Sequence, residues 1–323
     1  ALRRVPWLRP ESLAMYARFF FKSLALALAH RFDGIHAFRA LPEGGVAWAV
    51  ARLTGRPVTL YAHGEELTGW GRGGKFRAMR FALRRADRVI ANSDNTRVTL
   101  LDMGVDEARI AVIHPGVDVE RFRPGLDTRG LRASLGVSAD EFLLFSVGRL
   151  SRRKGFDQTM RAVARLRAEG LALRYAVAGV GEDAAYLAAL VGELGMGDAV
   201  HMLGALSEDE LPRWLNACDA FAMPNREING DNEGFGMVFI EAAACGKTSV
   251  AGIAGGTGSA VLHNETGLRV DGGSVEAVAD AVRALCRDRG LRTRLERAAL
   301  TRAREQFAWD RVAEATRRLT GRG

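Results

Sequence analysis

The chain has 323 residues, a length that suits two domains of ordinary size better than one small module. Hydrophobic residues make up 48% and charged residues 26%, a globular composition that excludes wholesale disorder. The three cysteines, Cys218, Cys245 and Cys286, form no CxxC pair, which argues against a disulfide framework or a zinc site. We therefore expect a protein of the reducing cytoplasm.

Positive charge is concentrated in the first part of the chain. The formal net charge is +8, and residues 1–118 hold 18 Lys and Arg against 11 Asp and Glu. A basic region favours contact with an anionic surface or an anionic substrate. An arginine-rich source genome explains the same excess, so both interpretations stay open. No stretch interleaves aromatic and basic residues, and we expect no nucleic-acid partner.

The most apolar stretch lies near the start of the chain, over residues 13–29. Arg18 and Lys22 interrupt it, which argues against a membrane-spanning helix. The stretch predicts an amphipathic helix packed on a sheet. The alternative is a helix lying on a bilayer surface, with residues 19–21, all Phe, inserted.

Short apolar runs then alternate with helical segments. In the first half we predict strands over 34–38, 57–62, 88–91 and 110–113, with helices near 42–54, 75–86 and 95–103. In the second half we predict strands over 142–147, 173–178, 200–202, 220–223 and 248–251, each followed by a helix. Fully apolar strands are typical of a parallel sheet covered on both faces. The alternation predicts a doubly wound α/β fold.

The best domain boundary lies between residues 118 and 140, which are rich in turn formers and lack periodicity. We predict a Rossmann-like domain over 1–125 and a second one over 126–306. Two facing open sheets would bring their strand ends to one cleft, where such folds bind ligands.

A run of basic residues follows the first strand of the second domain, in the sequence GRLSRRKG. Arg149 and Lys154 are thereby placed at the carboxyl end of a strand and beside a helix N-terminus. Free backbone N–H groups and the helix dipole favour phosphate there. A guanidinium and an ammonium at this point predict a diphosphate clamp, with a solvated basic loop as the alternative.

Two carboxylates bracket a glycine-rich turn in the sequence NGDNEGFGMVFIE. Glu233 lies in the loop after a strand, and Glu241 lies inside the helix that follows. Glycines at the helix start allow backbone N–H groups to approach a ligand closely, namely those of Phe235, Gly236 and Met237. A carboxylate inside such a helix can accept hydrogen bonds from a ribose.

Other motifs give weaker or negative indications. His63 ends a predicted strand in YAHGEEL, so it faces the expected cleft, although a structural role is the alternative. GVGEDA, residues 179–184, is not the first strand–helix turn of its domain, which argues against dinucleotide binding. CGKT, residues 245–248, is not a Walker A loop, because Glu241 stands where its first glycine belongs. No closely spaced His and Cys set is present, and we expect no metal or other cofactor.

Taken in order, these elements resemble glycosyltransferase family 4, the retaining nucleotide-sugar enzymes of the GT-B fold. The resemblance covers nearly the whole chain and rests on AHGEEL, ANSDNTR, HPGVD, GRLSRRKG, VAGVGED, LGALSEDELPRWL and EGFGMVFIEAAACG, followed by AGGTGSAV and TGLRV. It implies two facing Rossmann-like domains with the donor mostly in the second. It also implies that a last helix, within residues 307–323, crosses back to the first domain.

The resemblance implies roles for individual residues. Arg149 and Lys154 would hold the donor's diphosphate and offset charge on the leaving nucleotide. Glu241 would accept hydrogen bonds from the ribose, while Glu233 and His63 would lie beside the transferred sugar. The other donor-binding positions implied are a nucleobase wall at Leu206 and the segment around sugar and phosphate at Gly148, Gly234, Phe235, Gly236, Met237 and Val238.

The chain departs from the family pattern in two places. The family begins with a strand and a Gly-rich loop that are not found before His63, so we expect an incomplete first domain or a fragment. The sequence AGGTGSAV also lacks the acid that the family has near Ser259. Residues on the acceptor side and the oligomeric state are not assigned.

The sequence thus predicts a retaining, metal-independent glycosyltransferase. It would move a sugar from a UDP- or GDP-sugar to a carbohydrate or lipid-linked acceptor, in polysaccharide, glycolipid or cell-envelope assembly. Fixed cations would stabilise the leaving diphosphate. Front-face transfer and a glycosyl-enzyme on Glu233 both stay open. The alternative function is a non-catalytic nucleotide-sugar-binding or scaffold subunit. Peripheral contact with the inner face of an anionic membrane is a further expectation.

Overall fold

A computed structural model describes residues 10–68 and 73–321, which divide into two compact units. The first comprises the described residues up to His114 together with those from Ala313 onward, and the second is Pro115–Val312. The chain therefore leaves the first unit within the HPGVD turn, earlier than the predicted boundary at residue 125.

The first unit contains a four-stranded parallel sheet. Its strands are β1 Ile35–Ala37, β2 Val58–Ala62, β3 Arg88–Ala91 and β4 Ile110–Val112, and they lie in this order across the sheet. Its helices are α1 Pro10–Ala29, α2 Glu43–Thr54, α3 Glu65–Thr68, α4 Gly74–Arg85 and α5 Asp94–Asp102. Each strand lies where the sequence predicts it. Leu60 in β2 and Val89 in β3, the two central strands of the sheet, are fully buried.

The second unit contains a six-stranded parallel sheet. Its strands are β5 Phe142–Val147, β6 Leu173–Ala178, β7 Val200–Gly204, β8 Ala220–Met223, β9 Ser249–Gly252 and β10 Gly267–Val270. The helices are α6 Leu131–Ser134, α7 Phe156–Ala168, α8 Ala184–Glu193, α9 Glu210–Ala217, α10 Met237–Ala244, α11 Thr257–Ala260, α12 Val275–Arg287 and α13 Arg289–Gln306, and α14 Trp309–Thr320 follows. The strand order β10–β9–β8–β5–β6–β7 is doubly wound, which confirms the predicted fold class.

Burial explains why the strands of the second unit are recognisable in the sequence. Leu143, Leu144 and Phe145 in β5 are completely buried, because helices cover both faces of the sheet. Tyr175 in β6 is also buried, and its hydroxyl donates to the hydroxyl of Ser146 at 2.7 Å. A polar group in this core is thus satisfied by the neighbouring strand.

The strand order of this sheet reverses between β5 and β8. These strands pair directly, with Leu144 opposite Ala220 and Phe145 opposite Phe221. In open α/β sheets, ligands bind outside the carboxyl ends of the strands at such a reversal. The segments that leave β5 and β8, residues 148–155 and 224–236, therefore lie where a ligand site is expected.

Helix α1 presents apolar side chains to solvent. It contacts α2 and buries Ala27, whereas Phe19 is 45% exposed and Phe21 is 66% exposed. In the part of the chain that the structure describes, no helix combines the length and the apolar character needed to cross a membrane.

Two glycines of GVGEDA allow the segments after β5 and β6 to lie against each other. Gly179 has φ +132°, and a Cβ there would lie 1.9 Å from the carbonyl oxygen of Gly148. A Cβ on Gly181 would lie 2.3 Å from the carbonyl oxygen of Leu150. Backbone hydrogen bonds join the segments, including one of 2.9 Å from Leu150 to Val180. These glycines therefore serve a close backbone approach.

We expect Gly179→Ala to destabilise the second unit, because the new Cβ meets backbone atoms and the positive φ disfavours a side chain. The free energy of unfolding should fall by about 1–3 kcal/mol. Gly192→Ala is the matched control, since Gly192 lies in α8 with nothing within 4 Å of its Cβ position. That variant should gain about 0.5–1 kcal/mol. Urea unfolding measures the free energy of unfolding of both variants, and equal stability would show that Gly179 is not required for the close backbone approach.

Candidate functional site

A cleft of about 620 Å³ opens beside the carboxyl ends of β5 and β6. Three of the predicted donor-binding residues line it, namely Gly148, Arg149 and Leu206. Gly148 follows β5 with φ +153°, a conformation that side chains rarely adopt. The cleft thus has an apolar wall at Leu206 and a cation at Arg149.

Arg149 extends into solvent and binds an acid of the neighbouring segment. Its side chain is 72% exposed, and Nε and Nη2 donate to the two carboxylate oxygens of Glu182 at 3.0 and 2.9 Å. These hydrogen bonds lower the pKa of Glu182. An exposed pair of this kind contributes little to stability, so an arriving anion can compete for the guanidinium.

Lys154 lies inside the protein and forms an ion pair with Glu233. Its side chain is 13% exposed and that of Glu233 is 8% exposed. The structure therefore brings together Lys154 and Glu233, two of the predicted site residues. The two members of the predicted clamp, Arg149 and Lys154, form ion pairs with different acids.

Arg153 is a third charged residue beside Lys154 and Glu233, and its position was not predicted from the sequence. Its Nη1 donates to Oε2 of Glu233 at 3.0 Å, the same oxygen that Lys154 contacts. The sequence holds no signal that separates Arg153 from Arg152. The latter lies over the ring of Tyr186, with Cζ 3.4 Å from the ring centroid, and is 45% exposed.

The charged group is held in place because the segments after β5 and β8 pack together. Gly155 has φ +76°, and a Cβ there would lie 2.1 Å from the carbonyl oxygen of Pro224. The backbone N–H of Arg226 donates to the carbonyl of Arg153 at 2.8 Å. The Arg226 side chain in turn donates to buried Asp157 of α7 at 2.8 Å.

The turn before α10 fixes the backbone of Glu233. Its carbonyl accepts from the N–H of Gly256 at 2.7 Å, while Gly236 caps α10 with φ +89°. Phe235 is buried and packs edge-on against Phe307, with ring centroids 5.9 Å apart, so its side chain belongs to the core. The other predicted positions around the turn are Gly234, which is buried, Val238, which is half-buried, and Met237, which is exposed.

Glu241 lies half-buried on α10. Burial raises the pKa of its carboxyl, and the charge of Arg121 opposes this effect. Arg121 also lines the cleft and donates to the carbonyl of Glu208 at 2.6 Å. Arg121 could not be predicted from the sequence either, because only the fold relates residue 121 to a helix more than a hundred residues away.

His63 lies in the first unit, directly after β2. Its Nε2 lies 2.6 Å from the carbonyl oxygen of Phe38, so this nitrogen carries the proton and donates. The backbone N–H of His63 donates to Glu66 and its carbonyl accepts from Asn92, at 2.8 and 2.7 Å. The ring is therefore oriented by its neighbours, and its contact with a sugar stays a prediction.

Within residues 10–68 and 73–321, no group of three or more His, Cys, Asp or Glu side chains is placed to hold a metal ion. Burial raises the pKa of the Cys218 and Cys245 thiols to about 12, so neither is a ready nucleophile. Cations near carboxylates at the sheet reversal are suited to an anionic ligand.

Known protein families match both parts of the chain. The family described as "Glycosyl transferases group 1" matches residues 127–302. The family described as "Glycosyltransferase Family 4" matches residues 1–121.

Curated relatives carry related names. D-inositol 3-phosphate glycosyltransferase 1 of Catenulispora acidiphila is 34% identical over 302 residues, which cover 88% of this chain and 70% of the relative. The D-inositol 3-phosphate glycosyltransferase of Mycobacterium tuberculosis is 38% identical over 238 residues, which cover 71% of this chain and 47% of the relative. The matched region thus spans about half of the mycobacterial protein.

Solved structures share the fold. HepE of Anabaena in complex with UDP superposes with a TM-score of 0.82 at 23% identity, covering 94% of this chain and 81% of HepE. Sucrose-phosphate synthase of Thermosynechococcus elongatus has a TM-score of 0.80 at 25% identity, covering 97% and 79%. These neighbours are GT-B glycosyltransferases.

We expect Glu233→Gln to destabilise the second unit, because it leaves Lys154 and Arg153 largely buried without their shared carboxylate. The free energy of unfolding should fall by about 3 kcal/mol. The matched control is Glu182→Gln, which breaks the exposed pair with Arg149 and should cost less than about 1 kcal/mol. Urea unfolding compares the two variants, and equal losses of stability would contradict a larger energetic contribution from the buried Lys154–Glu233 pair than from the exposed Arg149–Glu182 pair.

Proposed function

Because the chain belongs to glycosyltransferase family 4, we propose that it transfers a sugar from a UDP- or GDP-sugar to a carbohydrate or lipid-linked acceptor. The observation that carries this proposal is the buried Lys154–Glu233 ion pair at the sheet reversal of the second unit. It supplies a cation for a diphosphate and a carboxylate for sugar hydroxyls. A nearby precedent is HepE of Anabaena, whose structures contain UDP and UDP-glucose.

The donor would be held in parts by residues of the second unit. The base would lie against Leu206 in the cleft, and the ribose hydroxyls would donate to the carboxylate of Glu241. The diphosphate would replace Glu182 as the ion-pair partner of Arg149 and Glu233 as the ion-pair partner of Lys154. Both competitions exchange one anion for another and leave each cation compensated.

The reaction breaks the bond between the anomeric carbon and the β-phosphate oxygen, and its electron pair stays on that oxygen. The acceptor's hydroxyl oxygen bonds to the same carbon, and its proton passes to the departing phosphate. Positive charge grows on the sugar while negative charge grows on the diphosphate. Lys154 and Arg149 would stabilise the latter charge, which is why we propose a reaction without a metal ion.

We propose that the transfer retains the anomeric configuration and occurs on the front face. Oε2 of Glu233 accepts hydrogen bonds from both Arg153 and Lys154, which weakens this oxygen as a nucleophile. The arrangement therefore favours a role beside the sugar over a glycosyl-enzyme. Isolation of a sugar covalently attached to Glu233 after reaction with a slow donor would overturn this assignment.

The acceptor would be anionic. The positive excess of residues 1–118 suits such a molecule, and the curated relatives are named for D-inositol 3-phosphate, a phosphorylated polyol. Assembly of a polysaccharide, glycolipid or cell envelope would supply acceptors of this class. Transfer assays that compare neutral with phosphorylated acceptors test this proposal, and equal rates would contradict a preference for an anionic acceptor.

Donor binding with neither transfer nor hydrolysis would instead favour a scaffold subunit.

We also propose peripheral contact with an anionic membrane through α1. Phe19, Phe21 and Leu28 are exposed on this helix, which also carries Arg18 and Lys22. Sedimentation with vesicles that contain an anionic lipid should pellet the protein at low salt and less at high salt. Absence from the pellet at both salt concentrations would remove this proposal.

We expect Lys154→Ala to lower turnover by about a hundredfold or more, because it removes a charge that stabilises the leaving diphosphate. Arg129→Ala is the control, since the side chain of Arg129 is 91% exposed and forms its ion pair with Asp127, two residues away. Turnover is measured with a panel of UDP- and GDP-sugars in the presence of EDTA, which should not slow the wild type. Unchanged turnover in Lys154→Ala would refute the clamp.

Donor affinity should fall as pH is lowered, because the ribose needs the ionised form of Glu241. Burial raises the pKa of this carboxyl, so protonation begins at a higher pH than for an ordinary glutamate at about 4.3. UDP-glucose is the probe, since both phosphates of its diphosphate are esterified and neither carries a proton that titrates near neutral pH. Calorimetry should show that the Kd of the wild type rises as the pH is lowered, and that the Kd of Glu241→Gln depends less on pH. Parallel profiles would contradict the assignment of Glu241.

A further inference from the structure

The buried carboxylate of Glu233 has two cationic partners on one oxygen, and only one of them belongs to the proposed clamp. Arg153 donates from Nη1 at 3.0 Å, and Lys154 contacts the same Oε2. The three side chains are between 8% and 13% exposed. A carboxylate so far removed from water needs a compensating charge at all times.

The Arg153 guanidinium also contacts a second acid, whereas the flexible Lys154 side chain has one charged group at its end. Nε of Arg153 lies 3.2 Å from Oδ2 of Asp231. Asp231 lies in a tight hairpin, where its N–H donates to the carbonyl of Ile228 at 2.9 Å and Ile228 donates back at 3.0 Å. The planar guanidinium thus contacts two acids at once, which fixes its position beside Glu233.

We propose that Arg153 is a positioning residue that keeps Glu233 compensated while Lys154 moves from this carboxylate to the diphosphate of the donor. The inference rests on the proposed function and deepens it. Among the ion pairs of the described residues, Lys154 would be the cation left on Glu233 if Arg153 were absent. A diphosphate would then have to remove the partner of a buried carboxylate. With Arg153 in place, the ammonium changes partners and no buried charge is left uncompensated.

The first test is the binding of UDP to Arg153→Met, measured by calorimetry on the full chain. Lys154 is then retained by Glu233, and the Kd should rise by about tenfold or more, the scale of one hydrogen bond to a charged group. Arg152→Met is the matched control, because it removes the same charge from the adjacent position, where the side chain lies over Tyr186. Its Kd should stay within about twofold of the wild type, a difference too small to count as a lost contact.

The second test separates this role from a merely structural one. Adding Glu233→Gln to Arg153→Met removes the carboxylate that retains Lys154, so UDP affinity should recover by several fold. A structural role for Arg153 predicts the opposite, namely a further loss of affinity in the double variant. Arg153→Lys, which keeps one positive charge, covers the case in which the Met variant does not fold. If the Met variant folds, Arg153→Lys should bind UDP with an affinity closer to that of the wild type than the Met variant does. If the Met variant is unfolded, the Kd of Arg153→Lys should lie within about threefold of the wild-type value.

The outcomes also distinguish failure of this inference from failure of the proposed function. If the wild type binds no UDP, GDP or inorganic pyrophosphate, the proposed function fails. If the wild type binds UDP and Lys154→Ala does not, while Arg153→Met binds as tightly as the wild type, the inference is overturned and the clamp stands. Weak binding by Arg153→Met that Glu233→Gln restores supports the inference.

Discussion

The requirement that a buried charge be compensated governs the candidate site. Glu233, Lys154 and Arg153 are all largely removed from water, at the reversal of a parallel sheet. Isolated charges in such a place would cost several kcal/mol each, so every one of them has an oppositely charged partner. An anionic ligand that contacts Lys154 or Arg153 must compete with Glu233 for these cations. The same constraint therefore determines both the stability of the site and what it can bind.

Close backbone packing makes this charged group possible. Gly155 lets the turn after β5 lie against Pro224, and Gly179 lets the segment after β6 lie against Gly148. Side chains at these glycines would push the segments apart and separate the cations on one from the acids on the other. The apolar strands β5 and β8 then hold both segments at one edge of the sheet. Rigid strands thus position the charged groups of the candidate site.

The sequence predicts the sheet well because burial on both faces leaves a simple apolar pattern. The run from Phe142 to Val147 and the observed β5 have the same bounds, whereas β7 extends two residues beyond its predicted end, to Gly204. Charged contacts are less predictable, since Arg149 and Glu182 are separated by 33 positions. Arg153 looks like any residue of a solvated basic run. Only the fold shows that it is buried beside Glu233 and that its neighbour Arg152 is not.

A nucleotide diphosphate should draw the ammonium of Lys154 away from Glu233, and a crystal structure of the chain with UDP would reveal this exchange. Nζ of Lys154 should then lie at about 3 Å from a phosphate oxygen, with Arg153 still on the carboxylate of Glu233. If UDP is bound elsewhere and Lys154 keeps its contact with Glu233, the exchange of partners does not occur.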